Sequence, residues 1–131
     1  MRYVIVGAGP AGISAARTLR QLDRDGEIIL VSKDSQVHSR CMLHKYVSGQ
    51  RDAEGISFIS PGFFEENNIT WHPGKAMVGL DCGESCIRLD DGSSLSYDRL
   101  LLASGAYYLL PPVPGPVSYT HLRAHETKAN L

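Results

Sequence analysis

The feature that most constrains this chain is a glycine-rich turn close to its amino terminus, Gly7-Ala8-Gly9-Pro10-Ala11-Gly12. The spacing is G-x-G-x-x-G. Before it runs a short β-branched and aromatic stretch, Tyr3 to Val6, that reads as a buried strand. After it, Pro10 to Leu22 reads as a helix. Pro10 suits a first-turn position, where a missing N–H costs nothing. Ile13, Ala16, Leu19 and Leu22 recur at helical spacing and predict one apolar face. Ile28 to Val31 reads as a second strand. Strand, glycine turn, helix and strand together have the size of one βαβ crossover.

In that setting each glycine has a chemical reason. Gly7 allows the tight turn off the strand, Gly9 lets a pyrophosphate approach the backbone, and Gly12 lets helix and sheet pack closely. The helix start then points unpaired N–H groups and its positive dipole end at phosphate. Such an end contributes roughly 0.3–1 kcal/mol per interacting charge at an exposed site. A ribose-binding acid is expected about 20 residues further on. Asp34 sits there, with Lys33 beside it. A turn alone would be the plain alternative, but the strand, the helix and the acid together favour a dinucleotide site.

Beyond Ser32 the pattern changes. A mixed stretch to Ser60 holds a short helix near Met42 to Val47. Ser60-Pro61 reads as a cap and first-turn pair opening a helix through Phe63, Phe64 and Glu65. Ile69 to Trp71 is a candidate third parallel strand. Ala76–Leu80, Ser85–Leu89 and Ser94–Tyr97 predict an antiparallel meander, with Asp90-Asp91-Gly92 as a hairpin signal. Arg99 to Ala103 reads as a further buried strand, running into Ser104-Gly105 and then a proline-rich loop. The expected fold is α/β and Rossmann-like: a parallel sheet with an inserted antiparallel meander.

Four segments in this order resemble the FAD-binding part of the pyridine nucleotide–disulfide oxidoreductase superfamily. The resemblance is greatest to the branch of rubredoxin and ferredoxin reductases and the flavin domain of NADH-dependent nitrite reductase. The glycine turn is the first segment. Ser39-Arg40-Cys41-Met42-Leu43-His44-Lys45 is similar to the family's aromatic-x-Arg/Lys-Pro-x-Leu-Ser-Lys. Gly74-Lys75-Ala76-Met77-Val78-Gly79-Leu80-Asp81 is similar to the strand whose backbone meets adenine, with Met77 at the contact. Tyr97-Asp98-Arg99-Leu100-Leu101-Leu102-Ala103-Ser104-Gly105 is similar to the family's Y-D-x-L, two apolar residues and A-T-G, the turn that closes on the cofactor. Ser104 replaces threonine, His44 replaces serine and Cys41 replaces proline.

The resemblance implies FAD as cofactor and NAD(P)H as co-substrate, with electrons passed to an acceptor such as a small redox protein. It places the Lys45 ammonium beside flavin N5, where a cation tunes the ring, and Arg40 along the FAD. It covers residues 1–115 and implies an incomplete FAD domain, without the nicotinamide domain and a late segment that finishes the flavin site. The fragment alone is expected to lack turnover. A stand-alone nucleotide-binding module without redox chemistry is the alternative; it would need neither the meander nor Ala103-Ser104-Gly105.

Composition sets the remaining limits. The 13 basic and 14 acidic side chains nearly balance, which gives no reason to expect nucleic acid or an anionic membrane as partner. No apolar run approaches the length of a membrane span. The start lacks a signal pattern, so the cytoplasm is the default. Three cysteines, Cys41, Cys82 and Cys86, make no disulfide scaffold. Cys41 is expected to be a buried, inert thiol or a simple proline replacement. Cys82 and Cys86 with His121 and His125 are too widely separated for a zinc finger, so no metal site is expected. Val117 to Thr127 resembles one reading frame of a transposon-based sequencing adaptor, and residues 116–131 are expected to be a non-native tail.

Overall fold

The computed structural model describes residues 1–106. Four strands form a parallel sheet: β1 (Arg2–Val6), β2 (Glu27–Ser32), β3 (Ile69–Pro73) and β7 (Arg99–Leu102), in the order β3-β2-β1-β7. A second sheet is antiparallel, ordered β4-β5-β6, from β4 (Met77–Asp81), β5 (Cys86–Leu89) and β6 (Ser94–Ser96). The helices are α1 (Pro10–Leu22), α2 (Leu43–Val47), which continues from a 3-10 turn over Arg40–Met42, and α3 (Phe63–Glu66). The α/β fold with a parallel sheet and an inserted meander is the expected one.

Strand alternation explains how one sheet serves two cores. Ile5, Ile28 and Leu30 point to the helical side, where they pack with Ile13, Ala16, Val37, Phe63, Phe64 and Ile69. Val4, Val6, Ile29 and Val31 point the other way and meet Ile87 and Leu89 of the meander. With both faces covered, β1 and β2 read as continuous apolar runs. Burying a side chain such as Ile87 fully contributes about 1.5–3 kcal/mol, so the meander is a true third layer.

Three expectations need correction. Leu22 is 80% exposed and not on the apolar face of α1. It follows Ile13 by three steps of three residues, and with 3.6 residues per turn it ends up about 180° away. The end of α1 is instead secured by Arg20. Its guanidinium donates to the carbonyls of Asp23, Arg24, Gly26, Asn67 and Asn68 at 2.7–3.1 Å. Ser60 does not cap α3; Gly62 is the cap residue, without a side-chain bond, and only the Ser60 carbonyl engages, accepting from Phe63 N–H at 3.1 Å. Pro61 lies before the helix and not in its first turn. β7 is not a buried strand: Leu101 is 39% and Leu102 55% exposed. β7 is the outer strand of the sheet among the described residues, so only its β1 side and Leu100, which packs on the meander core, are covered.

Candidate functional site

The strand order places a crevice between β1 and β7. β2 and β3 lie to one side of β1 and β7 to the other, so the strand order reverses at β1: the chain leaves β1 toward β2 and comes back to β7 on the opposite side. Ligands of open α/β sheets bind at such a reversal. Gly7 occupies this point with φ of +114°, a conformation that favours glycine. Its N–H donates to the Val31 carbonyl at 2.8 Å, and the Ala103 N–H donates to Val6 at 2.8 Å. A Cβ on Gly7 would collide with the Ala103 carbonyl. The glycine turn is therefore closed directly against Ala103 and Ser104, which are 96 and 97 positions later in the chain than Gly7.

Gly12 and Gly9 differ in what surrounds them. A Cβ on Gly12 would run into the Gly7 carbonyl, whereas one on Gly9 would meet nothing within 4 Å. The backbone at Gly9 thus faces open space, which a side chain there would partly occupy. Gly9 caps α1 without a side-chain hydrogen bond, Pro10 begins the helix and the first turn has no acidic residue. The first intrahelical bond runs from Ile13 N–H to Gly9 at 3.0 Å, which leaves Ala11 and Gly12 N–H without intrahelical acceptors. Ala8 completes this turn. The arrangement suits an anion with several acceptor oxygens, and the fit to a pyrophosphate rests on the open backbone of Gly9.

At the end of β2, Lys33 and Asp34 are exposed. No hydrogen bond engages the Asp34 carboxylate among the described residues. Its backbone is nevertheless fixed. The Ser32 hydroxyl donates to the Asp34 carbonyl at 2.7 Å and accepts from the Trp71 indole N–H at 2.9 Å. Gly74 N–H adds a long contact to the same carbonyl at 3.4 Å, and Lys75 N–H donates to the Ser32 carbonyl at 2.8 Å. Lys75 also pairs with Asp91 in the β5–β6 turn. That ammonium, followed by the Ser93 hydroxyl and N–H, holds the Asp91 carboxyl well below the usual carboxylate range. Met77 begins β4, the outer strand of the meander, opposite Leu89; a bulge follows before Gly79 and its side chain packs on the meander core.

Arg40, Cys41 and Lys45 lie on a separate segment. Val37 anchors it in the helical-side core, and Ser39 N–H donates to Ile56 at 2.8 Å. Arg40 is exposed and Lys45 half-buried. Among the described residues no hydrogen bond or ion pair joins either side chain to the glycine turn or to Asp34. The structure thus brings together Gly7 to Gly12, the Lys33–Asp34 loop and Ala103 to Gly105 at the strand ends, with Met77 tied in through Lys75, and it leaves Arg40 and Lys45 on their own lobe. Cys41 is exposed, not buried. It sits in the 3-10 turn, where only its carbonyl is engaged, by His44 Nδ1 at 3.0 Å.

A recess of about 380 Å³ lies between α1 and β7 against Tyr3, Ala15, Leu19 and Leu101. Its lining is apolar and includes no residue of the glycine turn. Among the described residues no three metal-ligating side chains cluster; His121 and His125 lie outside them. No described helix is long and apolar enough to cross a membrane. The Ser32–Trp71 relay and the Lys75–Asp91 pair were not visible in the residue pattern, because both depend on which turns the topology brings together.

Known proteins match this arrangement. The chain is 36% identical to the NADH-dependent phenylglyoxylate dehydrogenase subunit epsilon of Aromatoleum evansii, over 99% of this chain and 32% of the relative. It is 37% identical to rhodocoxin reductase of Rhodococcus erythropolis, over 88% of this chain and 27% of that protein. The solved covalent putidaredoxin reductase–putidaredoxin complex superposes with a TM-score of 0.78 at 32% identity, over 86% of this chain and 27% of that one. The chain therefore spans about a third or less of the length of these relatives. The family model described as pyridine nucleotide-disulphide oxidoreductase matches residues 1–131, and the chain belongs to that family.

Proposed function

We propose that this chain supplies the first part of the FAD site of an NAD(P)H-dependent flavin oxidoreductase that delivers electrons to a small redox protein. The observation that carries the reading is the crevice at the strand reversal, where Gly7 closes on Ala103 and the backbone at Gly9 stays open. The names of similar proteins support the acceptor class: one is a rhodocoxin reductase, and another was solved joined to putidaredoxin. The meander layer and the Ala103-Ser104-Gly105 turn favour this over a stand-alone nucleotide-binding module.

When bound, FAD would supply the redox chemistry, taking two electrons as hydride from NAD(P)H and releasing them to the acceptor. The protein's part is binding and orientation. The start of α1 and the backbone from Ala8 to Gly12 would hold the pyrophosphate, with Pro10 fixing the first helical turn. Asp34 would accept from a ribose hydroxyl, with Lys33 beside it, and Met77 would meet the adenine through its backbone. Ala103, Ser104 and Gly105 would close the site. Family resemblance supports Arg40 along the cofactor and the Lys45 ammonium at the reacting end of the flavin. We read the working compartment as the cytoplasm, and residues 116–131 as a non-native tail on the likeness of Val117 to Thr127 to a translated sequencing adaptor, although the family match extends across them.

The test is direct. The complete protein, purified as apoprotein, is titrated with FAD and with NAD under flavin fluorescence and calorimetry. FAD should saturate the site at far lower concentration, and the holoprotein should be yellow. Equal or tighter NAD binding at the glycine turn would overturn the proposal.

A further inference from the structure

Ser32 is the buried polar side chain of the described core, 4% exposed. Its hydroxyl accepts from the Trp71 indole at 2.9 Å and donates to the Asp34 carbonyl at 2.7 Å. The hydroxyl has one proton to donate, and the direction of each bond is therefore fixed: an indole N–H can only donate and a carbonyl can only accept. Trp71 is held in turn. Its ring stacks on Phe64, with centroids 4.3 Å apart and planes at 14°. Phe64 belongs to the helical-side core. A chain of fixed groups thus runs from that core through Trp71 and Ser32 to the backbone of Asp34.

Asp34 needs such a chain. It is exposed, it has no hydrogen bond to its carboxylate among the described residues, and it follows the last residue of β2 by two positions. Among the described residues, the one other hydrogen bond to its carbonyl is the long one from Gly74 at 3.4 Å, near the limit for a hydrogen bond. A carboxylate that must meet a ribose hydroxyl within a few tenths of an ångström requires its backbone to be set by something else. We propose that Ser32 and Trp71 are positioning residues that aim Asp34 at the adenosine ribose of the cofactor. The inference rests on the reading of Asp34 as the ribose acceptor.

The test uses the apoprotein of the complete protein and two probes read by flavin fluorescence: FAD, and an FAD analogue whose adenosine ribose lacks both hydroxyls. Trp71→Phe keeps a ring against Phe64 and removes the N–H. Ser32→Ala removes the relay, and Ser32→Thr keeps a hydroxyl. Trp71→Phe and Ser32→Ala should each weaken FAD about threefold to tenfold, the loss of about one hydrogen bond, and leave the analogue unchanged. Ser32→Thr should restore wild-type FAD binding. Asp34→Asn should discriminate in the same way, and adding Trp71→Phe to it should have no further effect, since both act on one contact. If Trp71→Phe and Ser32→Ala weaken both probes equally, the relay is structural only and the proposal is overturned. If they leave FAD unchanged while Asp34→Asn weakens it, the proposal fails and the role of Asp34 stands. If Asp34→Asn binds FAD like wild type, the ribose reading fails and the relay with it.

Discussion

Gly9 and Gly12 are three residues apart in one turn, and adding a methyl group to each should separate stability from binding. Gly12 lies inside α1, where exchanging glycine for alanine ordinarily gains about 1 kcal/mol of helix propensity. Here the new Cβ would overlap the Gly7 carbonyl. That carbonyl cannot retreat easily, because Gly7 is bonded to Val31 and abuts Ala103. Overpacking of this kind costs about 1–3 kcal/mol, and backbone as the obstacle puts the cost at the upper end. After the propensity gain, Gly12→Ala should lose about 2 kcal/mol. For a chain of this size that is a fall of roughly 5–10 °C in Tm. Gly9 has φ of −78° and ψ of −176°, an extended conformation open to any residue. Gly9→Ala should leave the apoprotein within about 0.5 kcal/mol of wild type. Its methyl would stand where the pyrophosphate approaches, weakening FAD by about 10- to 100-fold, the equivalent of one or two charge-assisted hydrogen bonds. Thermal unfolding of the apoprotein by circular dichroism and FAD titration by fluorescence give the two readouts. Wild-type FAD affinity in Gly9→Ala, or undiminished Tm in Gly12→Ala, would refute the reasoning.

Arg20→Lys should lower stability by about 2–4 kcal/mol despite keeping the charge, because an ammonium cannot reach the five carbonyls served by one guanidinium; denaturant unfolding measures it. The Asp91 carboxyl is depressed in the folded state, so its stabilisation is present above the unfolded value of about 3.9 and is lost as pH falls below that. Asp91→Asn should therefore converge with wild type in Tm only on the acid side, in scans from pH 6 to 2. In the complete enzyme Lys45→Ala should slow flavin reduction, followed by stopped flow, more than it weakens FAD binding; an unchanged reduction rate would count against its placement. Resequencing the source DNA beyond the codon for Gly115 with a different library chemistry should fail to recover the codons for Val117 to Thr127, and their presence in contiguous genomic sequence would make the tail native.

Local pattern carried much of the fold. α1 runs over Pro10–Leu22 as its periodicity and proline predict, and the meander turns where Asp91-Gly92 signals it. What stayed hidden depended on distance along the chain. β7 reads as a buried strand from its leucines, yet burial depends on what lies beyond a strand, which composition does not report. Leu22 has the right spacing and the wrong face, because a strict three-residue step drifts around the helix. The glycine turn and Asp34 were legible from spacing and chemistry. Ser32 was not, because a serine ending a β-branched run shows its meaning only when Trp71 arrives beside it on β3, 39 residues later.

The pairing of β1 with β7 also has a kinetic consequence. Val6 lies opposite Leu102, and Arg2 N–H donates to the Asp98 carboxylate across a separation of 96 residues. Closing so long a loop costs entropy before any contact rewards it. During synthesis β1, α1 and β2 can associate early, but the wall formed by Ala103 does not exist until the last of the meander has left the ribosome. The crevice is thus expected to form late among the described elements, with β7, an outer strand among them, prone to fray. A bound dinucleotide spanning Gly7 and Ala103 would hold that seam shut, so hydrogen exchange at Leu100 to Leu102 should slow with ligand far more than exchange in β2.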